Sequence, residues 1–152
     1  MYTGLRFKGI VKKQFRADFK PVAMAGEWNS NPDERLLSFG KNSRSGFIPC
    51  GGLAYMPRQW ETKPYDYGCG AATDGFDRTW NEDTGYWTFQ CSLKEHKTID
   101  AFLKLLPYFI ESVQHCEVFY EQWDWSEKWE LINDQMVMTD DKFIKYNDYK
   151  LY

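Results

Sequence analysis

Cysteine and histidine deserve the first look, because a thiolate beside an imidazole is a ready nucleophile and the same residues bind zinc. Cys50, Cys69, Cys91 and Cys116 are widely and irregularly spaced, with no Cys-x-x-Cys pair, and the two histidines, His96 and His115, complete no zinc pattern. Cys116 adjoins His115 and Cys91 precedes His96. Neighbours in a strand point to opposite faces, however, so His115 cannot serve Cys116 directly. Buried inert thiols in a reducing cytosol are the expectation.

The acids come next. Glu117, Glu121, Asp124, Glu127 and Glu130 form a ladder along two neighbouring strands. Glu117 and Glu121 share a face, a placement that paired carboxylates use for acid–base or metal chemistry. The plainer expectation is a solvated sheet face. Trp123, Trp125 and Trp129 lie among these acids, and rings flanked by carboxylates suit a cationic partner or a protein hot spot. In a sheet, such rings also cover the edge of the core.

A third group is rich in glycine. Gly51, Gly52, Gly68, Gly70 and Gly75 form neither of the usual phosphate or dinucleotide fingerprints. Their backbone amides could still cradle an anion, with Arg44, Arg58 or Lys63 nearby in sequence. Tyr55, Trp60, Tyr65 and Tyr67 are available to stack on a base, which makes a nucleotide-like ligand a hypothesis. A turn-rich loop is the bland alternative. No catalytic residue, metal site or cofactor follows from any of the three groups.

The elements that must position these residues are read from periodicity. Residues 2–12 alternate as a strand, with Leu5, Phe7 and Val11 on one face. Lys13–Met24 allows a short helix burying Phe15, Phe19 and Val22, interrupted by Pro21. Asn31-Pro32-Asp33-Glu34 reads as a helix start capped by Asn31, and Gly40 as its stop. Gly46–Pro57 suggests a short strand leading into a long structured loop over 51–75, and so long a connection is usually functional or mobile. Phe76–Trp80 and Tyr86–Leu93 form a hairpin, with Trp87, Phe89, Cys91 and Leu93 on one face. Ile99, Phe102, Leu103, Leu106, Phe109, Ile110 and Val113 recur at helical spacing behind a Thr98 cap, and Pro107 should bend that helix near Leu103. Strands follow over 115–123 and 128–132, and a tight turn at Asn133-Asp134 leads into Gln135–Thr139. The tail 140–152 is a last short strand or a fraying end. The sum is one α+β domain over 1–152: a mostly antiparallel twisted sheet of six to seven strands packed on one principal helix, with two short helices.

Composition narrows the role. At 152 residues the chain suits one domain with a real core. Seven Trp, ten Tyr and eleven Phe are more rings than such a core easily encloses, so some should line a groove or face a partner. A net charge of −3 argues against general nucleic-acid binding, although the front of the chain is basic and the back acidic. No run approaches membrane-spanning length, and Met1 leads straight into a strand with no signal peptide before it.

Two passages, Gly46-Phe47-Ile48-Pro49-Cys50-Gly51-Gly52-Leu53-Ala54-Tyr55-Met56-Pro57 with Trp60, and Leu106-Pro107-Tyr108 through Val118-Phe119-Tyr120-Glu121, resemble small aromatic-rich accessory proteins of bacteriophages and prophages. The resemblance covers about a third of the chain and transfers no functional residue. It implies a non-catalytic protein of the bacterial cytoplasm that binds and modulates or inhibits a host protein. The alternatives are a binder or sponge for a nucleotide-like small molecule, and a small enzyme of unknown class.

Overall fold

The computed structural model describes residues 1–57, Trp60 and 75–145, with the side chains of 141–145 left aside. Among them six strands make one antiparallel sheet in the order β2-β3-β1-β4-β5-β6. The strands are β1 (Tyr2–Val11), β2 (Thr79–Trp80), β3 (Tyr86–Lys94), β4 (Ile110–Tyr120), β5 (Trp125–Ile132) and β6 (Gln135–Lys145). The principal helix is Lys97–Phe109, here α4; α1 (Lys20–Ala25), α2 (Glu34–Gly40) and α3 (Phe47–Cys50) are short. This is the α+β fold that the alternation and the single long helical stretch predict.

The alternating residues do what their period requires. Leu5 and Phe7 of β1, the expected Trp87, Phe89, Cys91 and Leu93 of β3, and Cys116 and Val118 of β4 face the helices and are buried. Ile99, Phe102, Leu103, Leu106 and Phe109 of α4 close over them. Excess aromatic content is absorbed mainly here. Trp28 donates its indole N–H to the Ile48 carbonyl at 2.8 Å and meets Phe19, Phe39, Trp87, Phe102 and Phe109 with ring centroids 4.6–6.4 Å apart.

Several local expectations need correction. Pro21 does not interrupt a helix; it sits in the first turn of α1, where its missing N–H costs nothing, after a 3-10 turn over Lys13–Asp18. Asp33, rather than Asn31, caps α2, accepting from the amides of Arg35 and Leu36, while Asn31 accepts from the amide of Asp33. Phe47–Cys50 is a helical turn instead of a strand, closed by Gly51 N–H on the Phe47 carbonyl. His96, rather than Thr98, occupies the cap position of α4 and makes no side-chain cap. Ile110 already has extended backbone, so the helix passes directly into β4 and Ile110 and Val113 belong to the strand. Pro107 therefore lies in the last turn, and its carbonyl accepts from Lys12 Nζ at 3.1 Å. β6 continues to Lys145, which makes strand of the first part of the expected tail. Residues 146–152 lie outside the described residues.

The Asn133-Asp134 turn is as expected. Both residues have positive φ, 50° and 61°, the two-residue geometry whose twist matches a hairpin. β5 pairs with β4 only at Glu117↔Lys128 and Val118↔Glu127 but with β6 as far as the turn. The far half of the hairpin thus parts from β4 and leans over α4, against which β6 packs.

Candidate functional site

The sheet face away from the helices is charged, as expected, but it is covered where a solvated surface was expected. Cross-strand partners share a face, so Gln90, Arg6, Glu117 and Lys128 form one row over four strands, and Thr79, Thr88, Lys8 and His115 form the next. Glu117 is fully buried and Arg6 is 2% exposed. A His115 ring nitrogen lies 2.8 Å from a Glu117 carboxylate oxygen, and Arg6 Nε donates to Gln90 Oε1 at 2.9 Å. Phe76 covers the rows, its ring 4.4 Å from the Arg6 guanidinium carbon, 4.3 Å from Lys8 Nζ and 4.8 Å from the His115 ring.

The segment that opens the long loop is clamped onto this face. Trp60 is fully buried, its ring 4.8 Å from Arg6 and 6.1 Å from Phe119, and its carbonyl accepts from Gln90 Nε2 at 2.7 Å. Gly4 makes the seat: a Cβ there would come within 2.1 Å of the Met56 sulfur and 2.6 Å of the Trp60 ring. Strand glycines often mark such a close approach, and Gly4 was the signal that sequence reasoning passed over.

The expected loop residues are thereby sorted. Gly51 is buried with no room for a side chain, since a Cβ would stand 2.2 Å from the Ser92 carbonyl oxygen, while Gly52 is exposed and its carbonyl accepts from Ser92 N and Oγ. Arg44 forms an ion pair with Glu95 at 2.9 Å. Tyr55 is exposed and rests on Tyr2, ring centroids 5.1 Å apart. Trp60 lies beneath the surface and offers no exposed ring. Arg58, Tyr65, Tyr67 and Cys69 lie outside the described residues.

The three thiols among the described residues are placed as unreactive groups. Cys91 and Cys116 are buried on the helix side, away from His115, and burial pushes both thiols well above their ordinary range. Cys50 is half-buried and raised in the same direction by desolvation, partly opposed by Arg78. A raised thiol pKa means less thiolate at neutral pH and slower attack. In native protein at pH 7.5, iodoacetamide labelling followed by peptide mapping should leave Cys91 and Cys116 unmodified and find Cys50 slow. Denaturant should make all three reactive; native labelling of Cys116 at the rate of a free thiol would contradict its placement. Among the described residues no group of three His, Cys, Asp or Glu side chains is arranged to hold a metal.

Trp123 and Trp125 are brought together beyond the end of β4. Their rings meet edge-on at 4.4 Å, Trp123 lies 5.7 Å from Tyr120, and Trp123 is 41% exposed. Glu121, Asp124 and Glu127 flank these rings in sequence, and the Tyr120 hydroxyl donates to Glu127 at 3.4 Å. Burial first, then the charges of Glu127 and Asp100, push the Tyr120 phenol up to about 12.

A cleft beside α4 was not legible in the sequence. Where the β5–β6 hairpin leans over α4, a cleft of about 740 Å³ opens, floored by Leu103, Pro107 and Met136 and walled by Tyr108 and Trp129. Arg35, Asp100 and Lys104 stand on the helix side of its rim, Asp134 and Gln135 on the hairpin turn. Asp33 assembles the helix side: one oxygen caps α2, and the other accepts from the Tyr108 hydroxyl at 2.7 Å. That hydrogen bond raises the Tyr108 pKa and keeps the phenol neutral. The capped first turn also places the Arg35 guanidinium 4.5 Å from the Tyr108 ring.

No family model matches the chain, and neither the curated proteins nor the solved structures contain a significant match to it. The fold defines an α+β protein with helices on one sheet face and a charged, aromatic-covered layer on the other. No helix of the described residues is long and apolar enough to cross a membrane.

Proposed function

We propose that the chain is a non-catalytic binding protein, an accessory protein of the bacteriophage type that binds and modulates a host protein in the bacterial cytoplasm. The observation that supports this reading is the Tyr120–Trp123–Trp125 cluster, three neighbouring rings with Trp123 at the surface among acidic residues. Clustered aromatics dominate the energy of protein interfaces, and carboxylates beside them favour a basic patch on the partner.

The test is a complex of defined stoichiometry in native mass spectrometry after exposure to bacterial lysate, followed by titration with the purified partner. Trp123→Ala should weaken the complex at least about tenfold, the scale of an interface hot spot. Added salt should lower the association rate, as expected where charge steers the encounter. Equal affinity for the wild type and Trp123→Ala would remove this surface from the reading.

A second reading, a binder of nucleotide-like small molecules, draws no support from Arg44 or Gly51, both of which have structural contacts. It draws support from the α4–hairpin cleft.

A further inference from the structure

We propose that the cleft between α4 and the β5–β6 hairpin binds a small organic anion with a flat aromatic body, of the nucleoside monophosphate class. The inference deepens the second reading above and is independent of the protein-binding surface at Trp123.

Its size is right. About 740 Å³ falls in the range of roughly 300–1,000 Å³ typical of small-ligand clefts, and an apolar floor with a few polar groups at the rim is their usual lining. The cations are placed for an anion. Lys104 and Tyr108 stand one helical turn apart on the same face of α4, and Arg35 lies over the Tyr108 ring, so both positive groups line the helix side of the cleft. Neither Arg35 nor Lys104 has a carboxylate within ion-pair distance among the described residues. Two carboxylates also line the cleft: Asp100, one turn before Lys104 and held by His96 Nδ1 at 2.8 Å, and Asp134 on the hairpin turn. A guanidinium fork and an ammonium together match the oxygens of a phosphate monoester.

The rest of the cleft fits the body of such a ligand. The half-buried Trp129 has its indole N–H directed to Glu127 Oε1 at 3.3 Å, which fixes the ring as a wall for stacking. Leu103, Pro107 and Met136 supply the apolar floor. Asp134 and Gln135 on the hairpin turn offer acceptors and an amide donor for sugar hydroxyls or the edge of a base. Cations on the helix side, a ring wall for stacking and hydrogen-bonding groups on the hairpin side call for one molecule with all three features.

Isothermal titration with the four common nucleoside 5′-monophosphates, their nucleosides and inorganic phosphate tests the proposal. At least one monophosphate should bind saturably, with its nucleoside and inorganic phosphate each at least tenfold weaker. The double variant Arg35→Ala/Lys104→Ala should lose at least tenfold; both side chains are exposed, so its circular dichroism and melting should stay close to wild type. Trp129→Phe keeps an aromatic wall and should retain binding while losing the ligand-induced fluorescence change. No saturable binding by any monophosphate, binding undiminished in the double variant, or phosphate alone binding as tightly would each overturn the assignment. Capture of a protein partner sensitive to Trp123 but indifferent to Arg35 and Lys104 would leave the protein-binding reading standing while the cleft proposal fell.

Discussion

Replacing Trp28 by alanine should cost about 3–5 kcal/mol of folding stability, the range for deleting a large buried aromatic. Trp28 is fully buried, and its ring joins several parts of the chain. It touches Phe19 before α1, Phe39 of α2, Trp87 of β3 and Phe102 and Phe109 of α4. The truncation would leave a cavity shared by helices and sheet, so no single element can shift to fill it. It would also strip the Ile48 carbonyl of its indole donor, leaving a buried acceptor unmatched. The measurement is urea unfolding, with the midpoint falling and the slope unchanged if the folded state survives. Trp28→Phe should recover much of the packing while losing the hydrogen bond. If Trp28→Ala unfolds at the wild-type midpoint, this part of the core is wrongly placed.

Glu117→Ala is expected to be nearly as damaging, by about 3–5 kcal/mol, for an electrostatic reason: it removes one side of a buried charged network. Glu117 lies in one row with Arg6 and Lys128, and its carboxylate contacts the ring of His115 in the next row. Without it, the His115 ring loses its carboxylate partner on a face where Arg6 is only 2% exposed, so polar groups are left desolvated. Glu117→Gln keeps an oxygen acceptor for His115 and should cost less than alanine. The two chemical denaturation curves, with a double-mutant cycle against His115→Ala, separate the charge from the hydrogen bond. A neutral Glu117→Ala variant would mean that the network contributes nothing.

The contrast between these two residues shows what was legible. Trp28 lies in a core built from helix and strand periods, and those periods were readable: Trp87, Phe89, Cys91 and Leu93 share the buried face, and the apolar positions of α4 face them. Boundaries failed where one residue suits two states. Ile110 continues the helical spacing of Phe102, Leu106 and Phe109, yet it is equally at home in a strand, and only pairing with Val11 of β1 settles its backbone. Glu117 failed for another reason. Alternation says that Glu117 and Cys116 face opposite ways, which is so, but it cannot say that both faces are covered. The cover comes from Met56, Trp60 and Phe76, and the neighbouring charges from strands far away in sequence. Trp60 is buried for the same reason, in a hollow left by Gly4. The cleft residues Arg35, Lys104 and Trp129 carry no local mark at all. They meet only because the hairpin parts from β4 and crosses α4.

The sheet order has a consequence for how the molecule comes into being. β1 is first in the chain yet third across the sheet, between β3 and β4. Its residue Thr3 faces Leu93 on one side and Tyr120 on the other. During synthesis β1 must therefore wait, both edges bare, until β3 and then β4 have left the ribosome. Closing such long loops is entropically slow, which points to slow folding dominated by distant pairings. Until they form, Leu5, Phe7 and Val11 are exposed on an unpaired strand of the kind that recruits other chains. Yield of the native protein should accordingly depend more on how the nascent chain is chaperoned through β4 than on the stability of the finished fold.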